Sequence, residues 1–153
     1  ETIGDMIPLA IGFGISGLIL IIASFEIGIK KKENLNYRDA FLIGLAQAFS
    51  ILPSISRSGA TIAVGLFRGM ELEKAMRFSF LMSIPVIFGA GIIEIGNQPL
   101  PRDLLWATLV SFIVGLASIY FLIKFVSKSR KNLLYFGIYS LLLALGIGVY
   151  LLL

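Results

Sequence analysis

Four apolar runs long enough to cross a bilayer, and a fifth that is cut in two, limit what this chain can fold into. The whole runs cover about residues 7–29, 78–96, 104–126 and 133–153. At ~1.5 Å of rise per helical residue, each reaches across a ~30 Å hydrocarbon core. The fifth is a pair of short pieces, 40–52 and 60–70, around Ile51-Leu52-Pro53-Ser54-Ile55-Ser56-Arg57-Ser58-Gly59-Ala60-Thr61. Arg57 lies in that interruption with hydroxyls on both sides and no carboxylate near it in sequence. A charged side chain at membrane depth costs at least ~2.5–3.5 kcal/mol. An anion is the natural group to offset that cost, so the interruption is where function is sought.

Composition excludes most other classes. Apolar residues make up 58% of the chain and charged residues 14%, against about 45–50% and ~25% in soluble domains. Residues 1–153 are read as a single transmembrane domain. The chain has no histidine, which removes histidine-based catalysis and metal ligation within it, and no cysteine. Its basic residues sit between the apolar runs, which points to positive-inside topology rather than to nucleic acid. The first run is too long for a secretory signal and lacks a basic leading region. The chain begins at Glu1 rather than at a methionine, so a fragment or a processed chain is expected.

Charge placement tests how the two short pieces sit. If they form a hairpin that enters and leaves on one face, Lys30, Lys31, Lys32 and Arg38 share a side with Arg68, Lys74 and Arg77. Lys124, Lys128, Arg130 and Lys131 fall on that side too, and Arg102 alone lies opposite. A single long helix over 40–70 would scatter the basic loops on both sides. Two complete but short spans would return to the same face as a re-entrant hairpin, and length favours re-entry, since each arm carries only about 11–13 apolar residues. The expected fold is therefore all-α and polytopic, a bundle of about four full spans plus a re-entrant hairpin at about 40–70. The basic loops 30–38, 68–77 and 124–131 are predicted to be cytoplasmic.

Pro53 and Gly59 break the helix, so N–H groups around Ser54 to Ala60 are expected to lose intrahelical partners. A second arm starting near Ala60 would point its N-terminal N–H groups and dipole at the break, as phosphate-binding helix ends do. Arg57 adds a fixed cation whose forked donors suit phosphate oxygens, and Ser56, Ser58 and Thr61 add hydroxyls. Broken half-helices aimed at an anion recur in transporters. Structural readings stand beside these. Arg57 can bond carbonyls or a carboxylate on another helix, each serine can serve helix packing, and Gln47 can be interhelical glue. Glu26, at i,i+4 from Lys30, and Glu94 read as structural. Glu71, Glu73, Lys74 and Arg77 read as a solvated turn. The glycines at 12, 14, 17, 89, 91, 146 and 148 read as close-packing positions.

The residues also carry a resemblance. Gly44-Leu45-Ala46-Gln47, Pro53, and Ser56-Arg57-Ser58-Gly59-Ala60-Thr61-Ile62 resemble the second signature of the undecaprenyl-diphosphate phosphatase family, the bacitracin-resistance proteins. Arg77-Phe78-Ser79-Phe80-Leu81, with Pro85 and Gly89, is similar to the same family. One departure is Ser54, where the family usually has glycine after the proline. The resemblance implies one half of an inverted-repeat architecture. The glutamate-rich first signature with its histidine belongs to an N-terminal repeat, which this sequence does not show. A divalent cation such as Mg²⁺ would take its ligands mainly from that repeat, and the chain alone is not expected to turn over substrate.

By that resemblance the activity is hydrolysis of undecaprenyl diphosphate to undecaprenyl phosphate and inorganic phosphate, which recycles the carrier lipid of cell-wall synthesis. Phosphoryl transfer depends on positioning and on stabilising charge over the phosphoryl oxygens. Arg57, Ser56 and Thr61 are the candidate catalytic residues. Ser54, Ser58, Gly59, Ala60 and Gln47 are the candidate diphosphate-binding residues. The implied partners are a polyprenyl diphosphate lipid and the bilayer, without nucleic acid, and the assembly left open is a homodimer. The implied location is the cell membrane. The competing reading is a carrier or flippase for lipid phosphates or small anions, which would use the same site without chemistry.

Overall fold

The computed structural model describes residues 3–25, 30–32, 35–95 and 102–152. Among them are six α-helices and no strands: α1 (Ile3–Ser24), α2 (Tyr37–Phe49), α3 (Arg57–Phe67), α4 (Leu72–Ile95), α5 (Arg102–Val126) and α6 (Lys131–Leu152). Four of these contain segments long and apolar enough to cross a membrane, Met6–Ser24, Leu72–Glu94, Trp106–Val126 and Lys131–Leu152. The chain is an all-helical, multi-pass membrane protein. Glu26 lies outside the described residues, and so do residues 96–101.

The ends of the two short helices are written in local chemistry. Asn36 caps α2 in a capping box: its side chain accepts from the Asp39 N–H, and the Asp39 carboxylate accepts from the Asn36 N–H. At the other end, the Ser50 hydroxyl turns back to the Gln47 carbonyl at 2.6 Å, just ahead of Pro53. Helix α3 ends in a Schellman motif, with Gly69 N–H donating to the Leu66 carbonyl and Met70 N–H to that of Gly65. Gly69 supplies the required left-handed turn at φ +90°.

Helix α3 occupies the centre, packed against α1, α2 and α4. Six of its eleven residues are buried, including Thr61, Ile62, Ala63 and Leu66. They meet Leu20 and Ala23 of α1, Ile43 of α2, and Ala75 and Met76 of α4 in one core. This is why α4 starts at Leu72, well ahead of the apolar run at 78. Leu72, Ala75 and Met76 face the core, while Glu73 and Arg77 pair on the exposed side at 2.8 Å. What reads in sequence as a solvated turn is the start of that helix.

Helices α1 and α6 form the other close pair. A Cβ on Gly17 would lie 2.8 Å from the Gly137 carbonyl oxygen, and one on Gly137 would lie 2.6 Å from Ile21 Cγ1. The two backbones cross there, as small residues permit in membranes. A Cβ on Gly89, Gly91, Gly146 or Gly148 would meet no other part of the chain within 4 Å beyond its own helix backbone and neighbours. They serve no packing among the described residues, contrary to the reading from sequence.

The hairpin is closed at its base by one carboxylate. Asp39, fully buried, takes Lys32 Nζ at 3.1 Å and Arg68 Nε at 2.6 Å. The Lys32 N–H also donates to the Gly69 carbonyl at 2.9 Å. The start of α2 and the end of α3 therefore lie together, as the charge argument for a hairpin requires, and no continuous helix runs over 40–70. Burial by itself would raise the Asp39 pKa. Its bonds from Arg68, the Asn36 N–H and Lys32 outweigh that and hold it at about 2, below the ordinary 3.8. A carboxylate depressed on folding contributes stability that is present above the unfolded value and lost as pH falls through the folded one. Thermal unfolding in detergent is therefore expected to weaken between pH 4 and 2, and Asp39→Asn should be less stable at neutral pH and flatter across that window. An identical acid profile for the variant would remove Asp39 from this role.

Candidate functional site

The tip of the hairpin opposite Asp39 is a tight turn. Ile55 N–H reaches the Leu52 carbonyl at 3.3 Å, with Pro53 and Ser54 as the central pair. Ser54 has φ +61°. Proline followed by a left-handed residue is the pattern of a type II turn, whose third position favours glycine. The family's usual glycine after the proline thus has a backbone reason, and Ser54 occupies a conformation unfavourable for an L-residue by about 1–2 kcal/mol.

Helix α1 holds this turn. A Cβ on Gly12 would run into the Pro53 carbonyl oxygen, so the turn sits directly on the helix backbone. One turn further along, Ser16 Oγ donates to the Ser54 carbonyl at 3.3 Å and accepts from the Ser56 N–H at 2.9 Å. Ser16 is buried, and the sequence reading passed over it. The available signal was its spacing: Gly12 and Ser16 are small residues four apart and share one helix face.

Helix α3 begins at Arg57, three residues earlier than the sequence placed it, because Ser56 caps it. The Ser56 hydroxyl accepts from the Gly59 N–H at 3.1 Å, and the Ser56 carbonyl accepts from the Ala60 N–H at 2.9 Å. Most of the expected orphan donors are thereby used. Among the described residues, the N–H groups of Arg57 and Ser58 have no partner, and neither do the hydroxyls of Ser54 and Ser58. The Arg57 side chain is exposed and makes no hydrogen bond or ion pair with the described residues. The helix thus presents a free cation, two free N–H groups and its positive dipole end at one place.

The other candidates are held elsewhere. Thr61, buried, bonds back to the Arg57 and Ser58 carbonyls and meets Ser79 Oγ of α4 at 2.6 Å. It fastens α3 to α4, and Ser79 is the partner that sequence alone did not assign. Gln47 points at α4 instead of α3, with Nε2 at 3.5 Å from the Met82 carbonyl, and its buried Oε1 has no partner among the described residues. Beside the tip lies a cavity of about 150 Å³, lined in part by Ser56, Ser58 and Gly59. Its remaining walls are apolar, among them Leu20, Ile62, Met76, Phe80, Leu122 and Phe136. Hydroxyls, an amide and a guanidinium without a carboxylate are a poor donor set for Mg²⁺, which is usually held through carboxylates and phosphates. No step is assigned to a metal here.

Two substitutions separate support of the tip from its strain. Ser16→Ala leaves the Ser54 carbonyl and the Ser56 N–H without their partner, at an expected cost of about 1–3 kcal/mol. Ser54→Gly removes the left-handed penalty but frees the unfolded chain, for a net gain of up to about 1 kcal/mol. Opposite shifts in melting temperature in detergent are the expected outcome. No loss in Ser16→Ala would mean that α1 does not carry the turn.

The chain is similar to known proteins. The profile of the family described as "Bacitracin resistance protein BacA" matches residues 1–146. A relative from Methanococcus vannielii, named undecaprenyl-diphosphatase, is 36% identical over 137 residues, covering 89% of this chain and 54% of its own. One of the same name from Treponema denticola is 39% identical over 152 residues, covering 95% and 56%. Another from Mycobacterium leprae is 39% identical over 124 residues, covering 75% and 43%. The chain spans about half the length of these curated relatives. With the profile running through the capped half-helix, the turn beneath it and the spans around them, the chain belongs to the bacitracin resistance protein BacA family.

Proposed function

We propose that this chain carries the arginine-bearing anion site of a membrane phosphatase that hydrolyses undecaprenyl diphosphate to undecaprenyl phosphate and inorganic phosphate. The observation that carries the reading is Arg57, unpaired among the described residues, at the start of a buried half-helix and next to an apolar cavity lined in part by Ser56 and Ser58. Such a site suits a lipid with a charged head and a hydrocarbon tail. The name undecaprenyl-diphosphatase borne by the relatives supports it.

In this proposal the Arg57 guanidinium clamps the diphosphate, and the N–H groups of Arg57 and Ser58 cradle it with the helix dipole behind them. Gly59 and Ala60 complete the first turn of that cradle, and Ser54 and Ser58 donate their free hydroxyls. Ser56 keeps a proton to donate while its oxygen caps the helix. Thr61 acts through Ser79, holding α3 in register. Water attacks the terminal phosphorus, the bond to the bridging oxygen breaks, and the lipid monophosphate leaves. Charge building on the transferred oxygens is what Arg57 stabilises. The polyprenyl tail enters the apolar cavity and runs on between the spans. Gln47, with an unpartnered buried oxygen at the α2–α4 contact, stays a candidate for orienting the head group.

A divalent cation belongs to the proposal only with carboxylates from beyond the described residues. So do a homodimeric assembly, residence in the cell membrane, and cytoplasmic placement of the basic loops 30–38, 68–77 and 124–131. The joining of Lys32 and Arg68 on Asp39 supports one common side for the first two. A carrier for lipid phosphates is the second reading. It is favoured by the lack, among the described residues, of any carboxylate bonded to the hydroxyls of the tip.

Phosphate release from a polyprenyl diphosphate in detergent is the test, using the chain with and without an N-terminal repeat from a relative. The combination is expected to release phosphate, Arg57→Ala to reduce it by about 10²-fold or more, and Arg57→Lys to retain little because lysine lacks the planar fork. Near-normal turnover by Arg57→Lys would dismiss the clamp. Tight lipid binding without release by a folded combination would favour the carrier.

A further inference from the structure

At the end of α3 remote from Arg57, the ends of α1, α3 and α4 and the α5–α6 turn surround a cleft of about 980 Å³. Four cations line it, Lys31 from the segment before α2 and Lys128, Arg130 and Lys131 from the α5–α6 turn. Its two carboxylates already have partners: Glu71 meets Lys74 at 3.6 Å and Glu73 meets Arg77 at 2.8 Å. Among the described residues none of the four lining cations makes an ion pair, whereas Lys32 and Arg68 nearby share Asp39. Positive-inside topology explains basic residues at this end of the bundle. It does not explain their convergence on one concave space whose two described carboxylates are paired with other residues. Like charges gathered this way repel, and an anion between them relieves the repulsion. Ser127 lines the same space, and Phe25 and Leu134 give it an apolar shoulder.

The geometry points to a second anion site in this cleft, taking a phosphate group from a phospholipid headgroup or from free inorganic phosphate. It lies roughly 16 Å from Arg57, about the length of eleven-residue α3 at ~1.5 Å per residue. Basic pockets between the ends of membrane helices hold phosphate headgroups in this way. The inference does not depend on the phosphatase reading.

The test places the chain in nanodiscs of phosphatidylcholine containing a minor fraction of phosphatidylglycerol and counts retained lipid by native mass spectrometry. A calorimetric titration with inorganic phosphate in detergent runs beside it. The triple variant Lys128→Gln, Arg130→Gln, Lys131→Gln removes three of the four lining cations, and Lys30→Gln, Arg38→Gln, Lys124→Gln lowers net charge equally outside the cleft. Retention of phosphatidylglycerol or affinity for phosphate should fall at least about tenfold in the first and less than about twofold in the second. Lys128→Arg with Lys131→Arg keeps the charge and should keep binding, which separates loss of the site from loss of the fold. Phosphate that displaces the lipid would identify the phosphate group itself as what is recognised. Lipid retention without phosphate binding would assign the site to the headgroup. Equal loss in both triple variants, or no binding of either probe by the unaltered chain, would overturn the site.

Discussion

Backbone N–H and C=O groups that leave a helix in apolar surroundings need new partners, because no water is there to take them. Between α2 and α3 the chain leaves helical geometry for residues 50–56; the partners come from the end of α2 and the turn itself, and at Ser54 and Ser56 from α1. Gly12 lets the turn rest on the α1 backbone, and Ser16 takes both the Ser54 carbonyl and the Ser56 N–H. Ser56, positioned this way, caps α3. With the cap in place, the half-helix starts at Arg57 and its remaining N–H groups face outward. The candidate anion site therefore rests on a serine that no ligand needs to touch.

The two ends of α3 treat charge differently. At the base, Asp39 gathers Lys32 and Arg68 and is itself capped into α2, so these two cations are satisfied internally. At the tip, Arg57 has no such partner among the described residues. Within the hairpin itself, the cation at the end of α3 is paired and, among the described residues, the one at its start is not. The buried Thr61–Ser79 contact and the Schellman turn at Gly69 fix α3 between those ends. Rigid support of this kind is what lets a few donors act on an anion without reorganising.

Much of the site was legible in the residues. The proline, the serines and Arg57 announced a break with a cation in it, and the basic loops announced a hairpin. Other parts were not legible. The α3 start was placed too late because the capping role of Ser56 competes with its reading as a donor. The hydroxyl of Thr61 looked available because sequence does not reveal that α4 brings Ser79 to it. Glycines 146 and 148 look like packing positions, yet the α1 and α6 backbones come together at Gly17 and Gly137. A small residue states that an approach is possible without naming the partner.

Local patterns alone determined that the chain is helical, crosses a membrane and interrupts one helix around an arginine. Run length, helix-breaking residues and charge spacing are properties of neighbouring residues, and their physical consequences need no distant partner. Tertiary structure decided which polar groups stay free. Ser16, Ser79 and Asp39 reach their partners across 40, 18 and 29 positions of sequence. Whether a hydroxyl or a guanidinium is satisfied depends on what another helix places beside it, and that follows only from how the helices pack.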